Sequence, residues 1–314
     1  MFKPECKDMF CFFARKFNPL IFFMAHRSGF VSIIGKPNVG KSTLMNALLG
    51  ERLCITTAKA QTTRHRILGI WNDDDHQVVF SDTPGILDPN YKMQEEMMRV
   101  VNETLVDSDI LIYVQEVREP VNTNLVEKLK QTGLPTFVVV NKIDLSHQEA
   151  LDDKMDKLLA HYESGQIYPV SALRDFNTKN LMTGILEALP ENPPYYGKDE
   201  LTDRPLRFFI SEMVREKILT QYRKEVPYSV EVVVEEFKDE GKHLRISANI
   251  FVARESQKMI IIGKGGLAIK ALGTKARRSL ESFLDRHIFL ELTVKVSKDW
   301  RDDDKQLKRF GYRG

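Results

Sequence analysis

The run GKPNVGKS, Gly35 to Ser42, directly follows the apolar β-type stretch FVSII (residues 30–34) and directly precedes a helix-forming stretch. That context makes it a P-loop, in which successive backbone N–H groups turn inward to cradle an anion at a helix N-terminus. Gly35 and Gly40 allow the tight backbone path, and Lys36, Pro37, Asn38 and Val39 complete the loop. Lys41 is placed to reach the β and γ phosphates of a nucleotide, and the Ser42 hydroxyl to ligate Mg²⁺, with Thr43 beside it in the first helical turn. The loop presupposes a doubly wound, mainly parallel α/β sheet, because only a strand followed by a crossover helix presents it this way.

A P-loop alone does not choose among kinases, ATPases and GTPases, so the later motifs decide. DTPG, Asp82 to Gly85, ends the third apolar run: Asp82 can hold Mg²⁺ through water and the Gly85 N–H can sense a γ-phosphate, with Thr83 and Pro84 between them. NKID, Asn141 to Asp144, ends the fifth. The Asp144 carboxylate is a paired acceptor matched to guanine N1–H and the 2-amino group, which adenine lacks. The base is therefore guanine. Asn141 is expected on the opposite base edge, Lys142 over the ring, and Ser171, Ala172 and Leu173 to supply a backbone N–H to the guanine oxygen. QTTRHR, residues 61–66, lies where a switch loop must bring a hydroxyl to Mg²⁺; Thr63 is the first choice and Thr62 the alternative. Lys41, Thr63, Asp82 and Gly85 form the catalytic set for converting GTP to GDP and phosphate. Ile86 stands where some such enzymes place a water-orienting Gln, so low basal turnover is expected, with K⁺ near Asn38 as a candidate source of extra positive charge.

The apolar runs of residues 30–34, 65–71, 77–83, 110–114, 136–141 and 166–170 read as six strands, with helices between most of them. The second and third are separated by a few polar residues and should form an antiparallel hairpin. Residues 190–204 carry Pro190, Pro193 and Pro194 with little periodicity and read as a linker between residues 26–189 and 205–314. The second unit reads as helix (205–224), strand (228–237), strand (243–253), short helix, longer helix (267–287) and strand (289–296), an αββααβ order. The near-neutral total of +2 conceals an asymmetry: residues 204–314 hold 24 basic and 16 acidic side chains, while residues 1–203 hold 22 and 28. The C-terminal part is the one suited to a polyanion.

The loop GKGG, Gly263, Lys264, Gly265 and Gly266, joins the two helices of this basic unit, and Lys270, Lys275, Arg277 and Arg278 follow on the longer one. Alone, a GxxG is an ordinary helical corner. Inside an αββααβ unit of net charge +8 it indicates a type II KH domain, whose loop brings its backbone against single-stranded RNA. Gly263 to Gly266 and Lys270 are the candidate RNA contacts.

With these motifs together, the chain resembles the Era family of bacterial GTPases from about Ser28 to its C-terminus; PYSVEV at residues 227–232 and the closing WRDDDKQLKRFGY correspond as well. The resemblance implies a role in small ribosomal subunit maturation, with the KH domain holding the 3′ end of small-subunit ribosomal RNA when GTP is bound, and peripheral association with the inner face of the cell membrane. A monomer in the cytoplasm is expected. Residues 1–25, rich in Phe, are an extension that such chains generally lack, and Met24 is an alternative start. Arg15 and Lys16 split its apolar stretch, which argues against a signal peptide, and no window reaches the roughly 18 apolar residues of a spanning helix. Cys6, Cys11 and Cys54 provide neither a disulfide framework nor a paired CxxC metal signature, as in a reducing compartment. The competing readings are a nucleotide kinase, which NKID disfavours, and a membrane-associated cell-cycle GTPase whose basic domain binds anionic lipid.

Overall fold

The computed structural model describes residues 26–312. The first unit contains six strands, β1 (Arg27–Ile34), β2 (Ile67–Asn72), β3 (His76–Asp82), β4 (Ile110–Glu116), β5 (Thr136–Asn141) and β6 (Ile167–Pro169), in the spatial order β2-β3-β1-β4-β5-β6. All pairs are parallel except β2 with β3. The five helices are α1 (Lys41–Leu49), α2 (Lys92–Val106), α3 (Thr123–Gln131), α4 (Gln148–Leu159) and α5 (Thr178–Ala188). Residues along β4 alternate between two cores: Ile110, Ile112 and Val114 pack with α1 and α5, and Leu111 and Tyr113 with α3 and α4. Both faces are buried, which is why the strand reads as one continuous apolar run.

Two details depart from the sequence reading. β1 begins at Arg27, three residues early, because its polar start pairs in parallel with His76 and Gln77. β2 begins at Ile67, because His65 instead lies 4.4 Å, ring to ring, from Tyr312 near the C-terminus. Residues 190–204 run along the edge of this sheet. The Ile70 N–H donates to Leu201 O at 2.8 Å, and Gln77 Oε1 accepts from the Tyr195 and Tyr196 amides at 2.6 and 3.0 Å.

The second unit has the expected αββααβ order: α6 (Leu206–Gln221), β7 (Val230–Asp239), β8 (Leu244–Val252), α7 (Glu255–Ile262), α8 (Leu267–Leu284) and β9 (Ile288–Val296). Its sheet runs β7-β8-β9, antiparallel then parallel, the parallel pair being made possible by the α7–α8 crossover. Ile210, Val214 and Ile218 of α6 and Leu272, Ala276 and Leu280 of α8 close the core. A short last helix, α9 (Asp304–Arg309), had no separate signal in the sequence. It lies within a cluster in which fully buried Trp300, with Phe251, Phe310 and Tyr312, meets Met93 and Met97 of α2, so the C-terminal segment touches both units.

Candidate active site

The P-loop starts where β1 ends and closes on α1. Gly40 has φ +96°, and a Cβ there would lie 2.2 Å from Asn141 Nδ2, so both conformation and proximity require glycine. Lys41 is buried, its Nζ donating to Lys36 O at 2.9 Å and Gly35 O at 3.2 Å. Burial pulls its pKa down to about 8, although the Asp82 and Glu119 carboxylates oppose that. A bound phosphate would add the negative charge that the buried ammonium lacks. The DTPG turn lies against the loop: the Ile86 N–H donates to Gly35 O at 3.0 Å, and a Cβ on Gly85 would lie 2.6 Å from Pro37 N. Thr83 Oγ1 donates to Ile33 O, tying the same turn to β1.

On the opposite side of the loop, Asn141 works as a staple. Its Nδ2 donates to Val39 O at 2.8 Å and its Oδ1 accepts the Ala172 N–H at 3.0 Å, joining the P-loop to the 171–173 segment. One Nδ2 hydrogen is left for a base edge. The segment expected to donate to the base oxygen thus spends the Ala172 N–H inside the protein. Ser171 Oγ donates to Asp144 Oδ1 at 2.6 Å, which orients the exposed carboxylate and leaves Oδ2 outward. Lys142, at φ +62°, crosses the loop to donate to Asn38 O and to pair with Glu116. Lys36 pairs with Glu119 at 3.0 Å. Glu116 and Glu119 carried no motif signal in the sequence.

Two hydroxyls and one carboxylate converge beside Lys41. Ser42 Oγ donates to Asp82 Oδ2 at 2.6 Å, Thr63 Oγ1 donates to the same oxygen at 2.9 Å, and the hydroxyls are 2.8 Å apart. Asp82 Oδ1 is buried without a hydrogen-bond partner, and burial pushes this carboxyl above its ordinary range. An oxygen-only donor set with an unsatisfied carboxylate oxygen fits a hard dication such as Mg²⁺. Thr62 faces elsewhere, its hydroxyl donating to Lys59 O at 2.7 Å. A cavity of about 290 Å³ opens over this cluster, lined by Asn38, Lys41, Ser42, Thr57, Gln61, Thr63, Gly85 and Lys142 among others.

In the second unit, Gly263 has φ +71° and a Cβ would meet Ala268 Cβ at 2.6 Å, so the corner between α7 and α8 depends on glycine. Gly265 and Gly266 also have positive φ but face open space, where a ligand backbone could approach. Lys264 and Lys270 are exposed and have no ion pair among the described residues, whereas Arg277 is paired with Glu281 at 2.9 Å and Lys275 donates to Gln221.

Residues 30–142 match the family model described as a 50S ribosome-binding GTPase, and residues 225–301 match the KH domain model. GTPase Era of Syntrophus aciditrophicus is 47% identical over 291 residues, covering 91% of this chain and 95% of that one. The chain belongs to the Era family of GTPases. GTPase Era of Staphylococcus haemolyticus, 42% identical, likewise covers 91% of this Era-family chain and 97% of its own. Two solved Era structures superimpose with TM-score 0.87 at 38% identity, each covering 92% of this chain and 100% of the other. One is an Aquifex aeolicus Era variant bound to GDP·AlF₄⁻; the other is Era with MgGDPNP and nucleotides 1506–1542 of 16S ribosomal RNA. The Era-family chain is a GTPase with an α/β P-loop domain and a KH domain. Among the described residues no helix is long and apolar enough to cross a membrane.

Proposed function

We propose that this chain is a GTP-driven switch that binds small-subunit ribosomal RNA near its 3′ end and serves small ribosomal subunit assembly. The observation that carries the reading is the open, glycine-built corner at Gly263–Gly266, set in an Era-type chain similar to one crystallised with a 16S ribosomal RNA segment. Lys264 and Lys270 would meet phosphates while the corner admits the RNA backbone.

At the nucleotide site, Asp144 reads the guanine edge, Asn141 keeps the two base-side loops in register, and Lys142 covers the ring. Ser42 and Thr63 would hold Mg²⁺, with Asp82 behind them. When bound, the ion neutralises charge that builds on the phosphates. Lys41 brings an ammonium to the same phosphates from a dry pocket, where its field is little screened. The Gly85 N–H senses the terminal phosphate, and Ile86 cannot orient water, which accounts for low basal turnover. K⁺ beside Asn38 would add positive charge; equal rates in K⁺ and Na⁺ buffers at matched ionic strength would remove it from the scheme.

Two measurements test the reading. The first is filter binding of the full chain to a 3′-terminal small-subunit RNA fragment, with a GTP analogue and with GDP. Replacing Lys264 and Gly265 by Asp should abolish binding and flatten a salt slope of about −0.7 per phosphate neutralised on a single strand. Undiminished binding moves the RNA site off this loop, and flotation with anionic liposomes instead of RNA retention returns the membrane reading. The second is hydrolysis by Thr63→Ala. An unchanged rate would refute the role given to the switch threonine.

A further inference from the structure

The loop that carries Thr63 is held by the other domain. Between Thr63, which faces Ser42 and Asp82, and its neighbour Arg64, the chain changes allegiance: Arg64 is 1% exposed and its Nη1 donates to Val230 O at 2.6 Å. Upstream, Lys59 Nζ donates to Tyr222 O, and Arg215 of α6 reaches two consecutive carbonyls, Gln61 O at 3.3 Å and Thr62 O. Gln61 has φ +60°, a left-handed conformation that a non-glycine residue keeps only when its surroundings enforce it.

We propose that Arg215 is a positioning residue for GTP hydrolysis, its guanidinium fixing the main chain at Gln61 and Thr62 so that the Thr63 hydroxyl stays beside Ser42 and Asp82. Arg215 is itself 1% exposed and is forked onto Glu212 one helical turn away, Nε to Oε1 at 2.7 Å. On a solvated helix face such a pair would contribute little, and burying both charges is costly unless their remaining donors are used. Here they are used: Glu212 takes one edge of the fork and the switch carbonyls take the rest. Burial disfavours ionised Glu212, yet the charge and hydrogen bonds of Arg215 outweigh it and hold the carboxyl below its ordinary range. Lysine cannot reproduce this, since a single ammonium lacks the planar fork that spans a carboxylate and two carbonyls. The KH domain thus contributes to the GTPase chemistry from outside the P-loop domain, through the backbone and without touching nucleotide.

This inference rests on Thr63 being the switch threonine, which the Thr63→Ala rate tests separately. On the full chain, two variants test the inference: Arg215→Lys, and the double change Arg215→Met with Glu212→Leu, which leaves no buried charge unpaired. Three quantities are read: amide exchange over residues 57–63, the Mg²⁺ concentration for half-maximal hydrolysis, and affinity for GDP. Misplacement of a reacting group by about 1 Å costs on the order of 100-fold in rate. Both variants should exchange faster in this segment, need at least tenfold more Mg²⁺ and lose roughly 10- to 100-fold in kcat, with GDP affinity unchanged. Hydrolysis and Mg²⁺ requirement at parent values in a folded variant would overturn the proposal, as would a parallel loss of GDP affinity, which marks general loosening. If Thr63→Ala slows hydrolysis while both Arg215 variants do not, the site reading stands and this inference alone fails.

Discussion

Replacing Asn141 tests whether the nucleotide site is one object or two loops. The amide is 2% exposed, and its donor and acceptor are committed to Val39 O at 2.8 Å and the Ala172 N–H at 3.0 Å. Asn141→Ala orphans both backbone groups, each at about 1–3 kcal/mol, so the chain should lose about 2–6 kcal/mol of unfolding free energy. Against a typical total of about 5–15 kcal/mol this is a large fraction. The nucleotide spans both loops and must restore their register when it binds. Guanine nucleotide affinity should therefore fall at least tenfold, equivalent to about 1.4 kcal/mol. Asn141→Asp keeps the bond from Ala172 but sets a carboxylate oxygen against Val39 O, so it should weaken nucleotide binding while losing less stability than the alanine variant. Denaturant unfolding and titration with a fluorescent GDP analogue measure the two effects. A stability change below about 1 kcal/mol, or an Asn141→Ala protein that binds GDP as the parent does, would refute the staple.

Asp144→Asn should shift preference from GTP toward xanthosine triphosphate by up to roughly 10⁴-fold, and unchanged GTP affinity would refute the guanine reading. The Lys41 pKa of about 8 lies below its ordinary value of 10.5, so between these pH values the unfolded chain binds more protons at this group and its contribution to stability rises with pH. For the same reason, nucleotide binding at pH 8.5 should take up a proton, on the order of 0.7 per site, a value that calorimetry in buffers of different ionisation enthalpy would detect and that Lys41→Met should abolish. Gly263→Ala should lower the melting temperature more than Gly265→Ala, because both have positive φ but only the first meets a side chain, at 2.6 Å; equal melting temperatures would contradict that packing.

The nucleotide site was legible in the sequence because each of its parts sits at the end of a buried strand and is made of neighbouring residues. GKPNVGKS, DTPG, NKID and Ser171–Leu173 each act within a few positions of a turn, and the chain order of strands brings them to one edge of the sheet. Asn141 was found but its work was misjudged: a base contact was expected, and the structure shows a bond between two loops. Arg215 gave no signal at all. It acts on carbonyls more than 150 positions away, and carbonyls have no residue identity for a pattern to contain. Arg64 lay inside a quoted motif, yet nothing local tells a residue facing nucleotide from one facing the second domain. The same limit hid the C-terminal cluster around Trp300, whose partners come from α2, β8 and the chain end.

The path of residues 190–204 has a consequence for self-association. β2 is an outermost strand, and such a strand offers unpaired N–H and C=O groups to any other copy with an exposed edge. Leu201 takes one of those donors, and Gln77 pins the Tyr195–Tyr196 backbone alongside. At the other margin β6 is only three residues long, too short to template much. The prolines that read as a connector therefore also belong to a selvedge, the finished border that keeps a woven sheet from unravelling into its neighbours. Its length is set by the width of the strand it hems as well as by the distance between two domains.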